Sequence, residues 1–210
     1  MSALLTVPST TRACYAMAHG AGAGMQHAFM TAVAEGLAGR AVATLRYQFP
    51  YMERGSRRPD SPKLAQATVR AACAEAQRRL PGVPLLAGGK SFGGRMTSHA
   101  QAAAPLEAVR GLVFFGFPLH PAGKPSTQRA AHLAGVHIPM LFLQGTRDDL
   151  AELELLRPVI GALVPRATLA TFDDADHSFH VRARSGSTDA EVLAAALDRC
   201  ASWVDTLLTR

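Results

Sequence analysis

Short apolar runs alternate along the chain with longer segments whose apolar residues recur every three or four positions. The runs at 14–18, 41–47, 83–87, 111–115, 140–144 and 167–172 are largely continuous in apolar and β-branched residues. Strands covered on both faces have this signature, because neither face meets water. A weaker seventh run lies at 4–7. Segments 26–38, 61–80, 92–104, 125–133, 150–163 and 188–209 read as helices. In the last, Val192, Leu193, Ala196, Leu197, Cys200, Val204 and Leu207 fall on one apolar stripe. Ser61-Pro62 is a helix entry, since proline fits the first turn. The alternation predicts an α/β fold with about six mostly parallel strands flanked by helices. No repeat or long linker interrupts residues 1–210, so one domain is expected. Segments 53–60 and 182–187 are expected to be the least ordered.

The 210 residues are 48% hydrophobic and 18% charged, which excludes a disordered chain. Lys and Arg number 22 against 16 Asp and Glu, a net charge of +6. The densest basic patch, Arg54, Arg57 and Arg58, falls in a presumed loop with no nucleic-acid motif beside it. It reads as a solvated loop, and no nucleic-acid partner is expected. The apolar runs are too short to cross a bilayer, and residues 1–12 lack the features of a signal peptide. No membrane association and a cytoplasmic location are therefore expected. Cys14, Cys73 and Cys200 fit neither a disulfide framework nor a zinc site, and read as reduced, buried thiols. No metal or organic cofactor is expected, for want of a ligand cluster or dinucleotide motif. Nothing in these patterns specifies an oligomeric state.

Gly89-Lys90-Ser91-Phe92-Gly93 has the form G-x-S-x-G, between a predicted strand and a predicted helix. This is the setting of a nucleophile elbow, where only glycine leaves room beside a strained serine. The helix N-terminus behind Ser91 favours developing negative charge. An acyl-transfer transition state also needs two fixed N–H donors for its oxyanion. Phe92 would supply one. The glycine-rich loop at 19–24 would supply the other, from Ala21 or Gly22. The spacing of a dinucleotide loop fails there at Met25, and no Lys-Ser/Thr pair follows as in a P-loop. His19 is expected to orient the loop backbone. Asp148, in Gly145-Thr146-Arg147-Asp148, is the expected orienting carboxylate. Asp149 is expected to open the next helix. His177, after the last strand, is the expected general base, since imidazole exchanges a proton near neutrality. His180 is its rival, one turn further on. The order Ser91, Asp148, His177 is that of the α/β-hydrolases.

Together these residues resemble the small, lidless, dienelactone-hydrolase-like α/β-hydrolases, in particular a compact subgroup carrying G-K-S-x-G-G-R, here ending at Arg95. The resemblance extends from about 14 to 208. It includes His19-Gly20-Ala21-Gly22, Arg46-Tyr47-Gln48-Phe49-Pro50-Tyr51, Phe117-Pro118-Leu119-His120-Pro121 with Gly123-Lys124-Pro125, and Gln144-Gly145-Thr146-Arg147-Asp148. It implies an α/β-hydrolase fold and a serine hydrolase that cleaves carboxylic esters or thioesters through an acyl-enzyme. The implied partner is a small-molecule acyl substrate. Dienelactone hydrolases themselves carry a cysteine where this chain has Ser91. Only 116–139 separates two strands where a cap would be inserted, so no cap domain is expected. Loops 46–60, 117–125 and 173–179 are expected at the mouth of the site. Phe49, Tyr51 and Phe117, with Phe92, either line an apolar acyl site or belong to the core. Arg95 is expected to reach along its helix to a structural carboxylate. The competing reading is a non-catalytic scaffold protein of the same fold. The intact Ser91, Asp148 and His177 favour the enzyme.

Overall fold

The computed structural model describes residues 1–209. Seven strands form one sheet: β1 (Ala3–Thr6), β2 (Ala13–Ala18), β3 (Val42–Tyr47), β4 (Leu85–Lys90), β5 (Val109–Phe115), β6 (Met140–Gly145) and β7 (Ala167–Phe172). Their order is β1-β3-β2-β4-β5-β6-β7. The six expected strands are parallel to one another. The weak N-terminal run is a seventh strand, antiparallel to β3 along the edge. The helices are α1 (Ala28–Ala38), α2 (Pro50–Glu53), α3 (Pro62–Arg79), α4 (Phe92–Ala103), α5 (Leu153–Gly161) and α6 (Asp189–Leu208), with 3-10 helices at Gln128–Gly135 and Ala183–Ser185. No cap domain covers the sheet. None of the described helices is long and apolar enough to cross a membrane.

Continuous apolar strands serve two cores, because successive side chains point to opposite faces. On one face Tyr15, Met17, Leu86, Val113 and Leu141 meet Met30, Val33 and Leu37 of α1 and Val192, Ala196, Cys200 and Val204 of α6. On the other, Ala16, Ala87, Leu112, Phe114 and Phe142 meet Ala65, Val69 and Ala72 of α3, Met96 and Ala100 of α4, and Leu156 of α5. Each fully buried Leu, Val or Phe contributes about 1.5–3 kcal/mol relative to exposure. The three cysteines are buried and unpaired, and burial pushes each thiol up to about 12.

The departures from sequence expectation have local causes. Strand β4 runs on to Lys90, because Gly88 and Gly89 still pair with β2 and β5 despite their poor strand propensity. Segment 125–133 is not an α-helix. A 3-10 helix begins at Gln128, and its anchors Ala130 and Leu133, three apart, match a three-residue turn. Asp149 does not open α5. That helix starts at Leu153 behind Glu152, and the Asp148 carboxylate instead closes a turn by accepting from Leu150 N at 2.8 Å. At α6, Thr188 and Glu191 form a reciprocal capping box that fixes the helix start.

The order β3-β2-β4 places a topological switch point between β2 and β4, since the chain leaves β2 first to one side and later to the other. Crevices outside the carboxyl ends of such strands are where ligands bind in open α/β sheets. The loops after β2 and β4 carry His19–Gly24 and Ser91.

Candidate active site

Ser91 sits between β4 and α4 with φ 50° and ψ −117°, a conformation that costs a non-glycine residue of order 1–3 kcal/mol. Neighbouring glycines make the turn sterically feasible. A Cβ on Gly89 would stand 2.1 Å from the Ala18 carbonyl oxygen, and one on Gly93 2.5 Å from that of His19. Thr97 Oγ1 donates to the carbonyls of Gly88 and Gly93, pinning α4 to the end of β4.

The structure brings Ser91, His177 and Asp148 together from three strand ends. His177 Nε2 lies 2.8 Å from Ser91 Oγ, and His177 Nδ1 lies 2.6 Å from Asp148 Oδ2. A carboxylate only accepts, so Nδ1 carries the hydrogen and Nε2 is left to accept from the serine hydroxyl. Asp148 is 2% exposed. Its Oδ2 also accepts from Gln144 Nε2, and Gln144 Oε1 accepts from Phe117 N at 2.9 Å. Gln144 thus fixes the carboxylate, a role no motif announces. The loop after β5 braces the same turn, because the amides of Leu119 and His120 both donate to the Leu150 carbonyl. The buried His120 meets Glu152 at the foot of α5. Asp176 shapes the loop bearing His177 by accepting from Ser178 N and His180 N. His180 itself is exposed and pairs with Asp189 at 2.9 Å, away from Ser91.

Lys90 adds a second hold on His177. Its Nζ donates to the His177 carbonyl and stands 5.5 Å and 5.4 Å from the ring centroids of Phe29 and Phe179. Burial lowers its pKa to about 8, against the opposing pull of Asp148 and Asp176. Consecutive residues therefore grip one histidine, Lys90 by the backbone and Ser91 by the ring.

The loop after β2 lies against this elbow. His19 is fully buried, and burial lowers its pKa, so it is neutral. Nε2 accepts from Phe49 N at 3.1 Å and Nδ1 donates to Gly20 O at 2.8 Å, so His19 orients the loop backbone. Gly22 N donates to the Tyr51 hydroxyl at 3.0 Å. That engagement removes Gly22 from the pair of candidate donors and leaves Ala21. The amides of Ala21 and Phe92 have no acceptor among the described residues. Gln48 and Arg46 complete the clamp, through Met25 N at 2.8 Å and Thr31 Oγ1 at 2.8 Å.

A cavity of about 400 Å³ opens beside Ser91 and His177, walled by Ala21, Ala23, Phe29, Met30, Lys90 and Leu150. Phe49, Tyr51 and Phe117 are at most 1% exposed and pack in the core behind the elbow, not in the cavity wall. Of the three loops expected at the mouth, only 173–179 contributes lining residues. Within loop 46–60, Asp60 accepts from Tyr51 N and Arg54 Nη2. Among the described residues, no group of three or more His, Cys, Asp or Glu converges as metal ligands would.

Comparison with known proteins matches this architecture. A serine hydrolase without lid from Xanthomonas campestris shares 21% identity at a TM-score of 0.74, over 96% of this chain and 88% of that one. A dienelactone hydrolase from Anabaena variabilis shares 21% at 0.76, over 96% and 89%. An alpha-beta serine hydrolase homologue from Coxiella burnetii shares 17% at 0.74, over 94% and 90%. The family described as Alpha/beta hydrolase domain matches residues 11–205. With that span, a mostly parallel sheet and no cap over its carboxyl edge, the chain belongs to the alpha/beta hydrolase family as one of its small, lidless members.

Proposed function

We propose that the protein is a serine hydrolase acting on carboxylic esters or thioesters of small acyl groups, with residues 1–210 forming one catalytic domain. Support comes above all from the unbroken hydrogen-bond chain from Asp148 through His177 to Ser91, at 2.6 Å and 2.8 Å. Ser91 Oγ attacks the acyl carbonyl as its proton passes to His177 Nε2. Asp148 keeps Nδ1 protonated and stabilises the imidazolium. The amides of Phe92 and Ala21 receive the oxyanion at the helix N-terminus. His177 then protonates the departing alcohol or thiol, and water repeats the sequence on the acyl-enzyme. Small walls at Ala21 and Ala23, with Met30 and Leu150, suit a short apolar acyl chain. Phe49, Tyr51 and Phe117 act behind the site, by fixing its loops. The test is fluorophosphonate labelling of the protein and of Ser91→Ala, followed by a panel of p-nitrophenyl esters and acyl-thioesters. Labelling confined to the parent protein, with turnover of the short-chain substrates, is the expected result. An unlabelled parent protein would favour the scaffold reading.

Two expectations follow for the groups that hold the site. Lys90→Met should lower kcat by about tenfold, or ~1.4 kcal/mol of barrier. In the parent protein, Lys90 is an ammonium below pH 8 and a neutral amine above, when its cation–π hold on Phe29 and Phe179 is lost. The parent kcat should therefore decline as pH rises through about 8. The variant should lack that decline, which a pH–rate profile reads directly. Tyr51→Phe removes the hydroxyl that accepts from the Gly22 amide, a net loss of about 0.5–1.5 kcal/mol. It should depress kcat while leaving KM nearly unchanged, as steady-state kinetics with a short-chain ester will show.

A further inference from the structure

We infer that the seam between α4 and the 3-10 helix Gln128–Gly135 is a binding site for a phosphate-type dianion, held by Arg95 and Arg129. Arg95 does not reach the structural carboxylate expected of it. Among the described residues, neither guanidinium takes part in an ion pair, and neither donates a hydrogen bond. Both side chains are half-buried, and Arg95 Nε is shielded from solvent with no acceptor. Burial and the charge of Arg129 lower the pKa of Arg95.

The surroundings sharpen the imbalance. His99 and His132 stack with ring centroids 3.5 Å apart and planes 15° from parallel. Burial, His99 and Arg95 push His132 down to about 4, and burial and Arg95 lower His99 as well. Both rings are therefore neutral near neutral pH, and His132 Nε2 is held 2.8 Å from Ser98 Oγ. Arg95 stands one turn before His99 in α4 and Arg129 one turn before His132 in the 3-10 helix, so the stacked rings bring two cations with unused donors to one seam, neither paired with an acid among the described residues. Guanidinium forks match the oxygens of phosphate, whose charge approaches −2, better than the single charge of a carboxylate. The site needs no contribution from the Ser91 hydroxyl. It lies close to it, however, because Arg95 follows Ser91 by one helical turn, about 6 Å along the axis. The histidine pair also borders an open depression of about 390 Å³ with Gln66, Ala102 and Gly135.

The test follows the imidazole signals of His99 and His132 by NMR as inorganic phosphate is added at constant ionic strength, with chloride as control. Saturable shifts below about 10 mM are expected, together with a rise of His132 titration by about one unit, since a bound anion favours imidazolium. Both effects should vanish in Arg95→Gln/Arg129→Gln. Arg129→Gln alone, which leaves α4 untouched, should weaken binding at least tenfold. Absence of saturation, or equal shifts in the variants, would overturn the site whether or not the protein hydrolyses esters. A second arm separates the sources of the phosphate. A phosphate carried by the substrate should lower KM relative to a neutral ester in the parent protein only. A free phosphate effector should instead alter turnover of the neutral ester.

Discussion

Replacing Ser91 with alanine is expected to lower kcat for a p-nitrophenyl ester by about 10⁵, within the range that loss of a catalytic nucleophile costs in serine hydrolases. KM should change little, because the side chain removed is small and the cavity walls remain. Residual turnover above water should persist, since the proposed oxyanion donors, the amides of Ala21 and Phe92, are left in place. The fold should be unaffected. Alanine carries the same Cβ into the same φ of 50°, so the backbone strain is unchanged. Matching thermal midpoints for the two proteins, beside the collapse in kcat, would separate chemistry from stability. A variant that kept a tenth of the parent rate would remove Ser91 as nucleophile.

Asp148→Asn is expected to cost about 10³–10⁴ in kcat, for a reason specific to its donors. Asp148 Oδ2 accepts from His177 Nδ1 and Gln144 Nε2, while Oδ1 accepts from Leu150 N. Asparagine has one acceptor oxygen for these two positions. If its NH₂ faces His177, the imidazole must place its hydrogen on Nε2 and can no longer accept from Ser91. If its NH₂ faces Leu150, two donors confront each other in a buried turn. Either arrangement strands a donor, so a stability loss of about 1–3 kcal/mol should accompany the kinetic one. Urea denaturation and a pH–rate profile together measure the two losses. Near-parent kcat in the folded variant would show that the carboxylate does not orient His177.

The features legible in the sequence were those written in local pattern. Continuous apolar runs marked the strands, and G-x-S-x-G between a strand and a helix marked the elbow. Strand-end positions drew Ser91, Asp148 and His177 to one edge of the sheet. What escaped was set by contacts between distant segments. Gln144 is an ordinary strand residue until β6 delivers it beneath Asp148 and beside Phe117. The Tyr51 hydroxyl meets Gly22 only because the chain after β3 folds under the loop after β2. Phe49 and Phe117 have the chemistry of a pocket wall, yet they fill the core because the elbow needs packing beneath it. The partnerless Arg95 was illegible because a sequence records charges without their distances.

The carbonyls of Ala18 and His19 lie so near Gly89 and Gly93 that close main-chain packing holds the turn carrying Ser91, the proposed nucleophile. Reaction centre and selectivity surface are thus mechanically decoupled. Ala21, Met30 and Leu150 can drift, or be redesigned, to admit bulkier acids without displacing the attacking oxygen. A scaffold of this kind tolerates rapid diversification of what it consumes while its chemistry stays fixed.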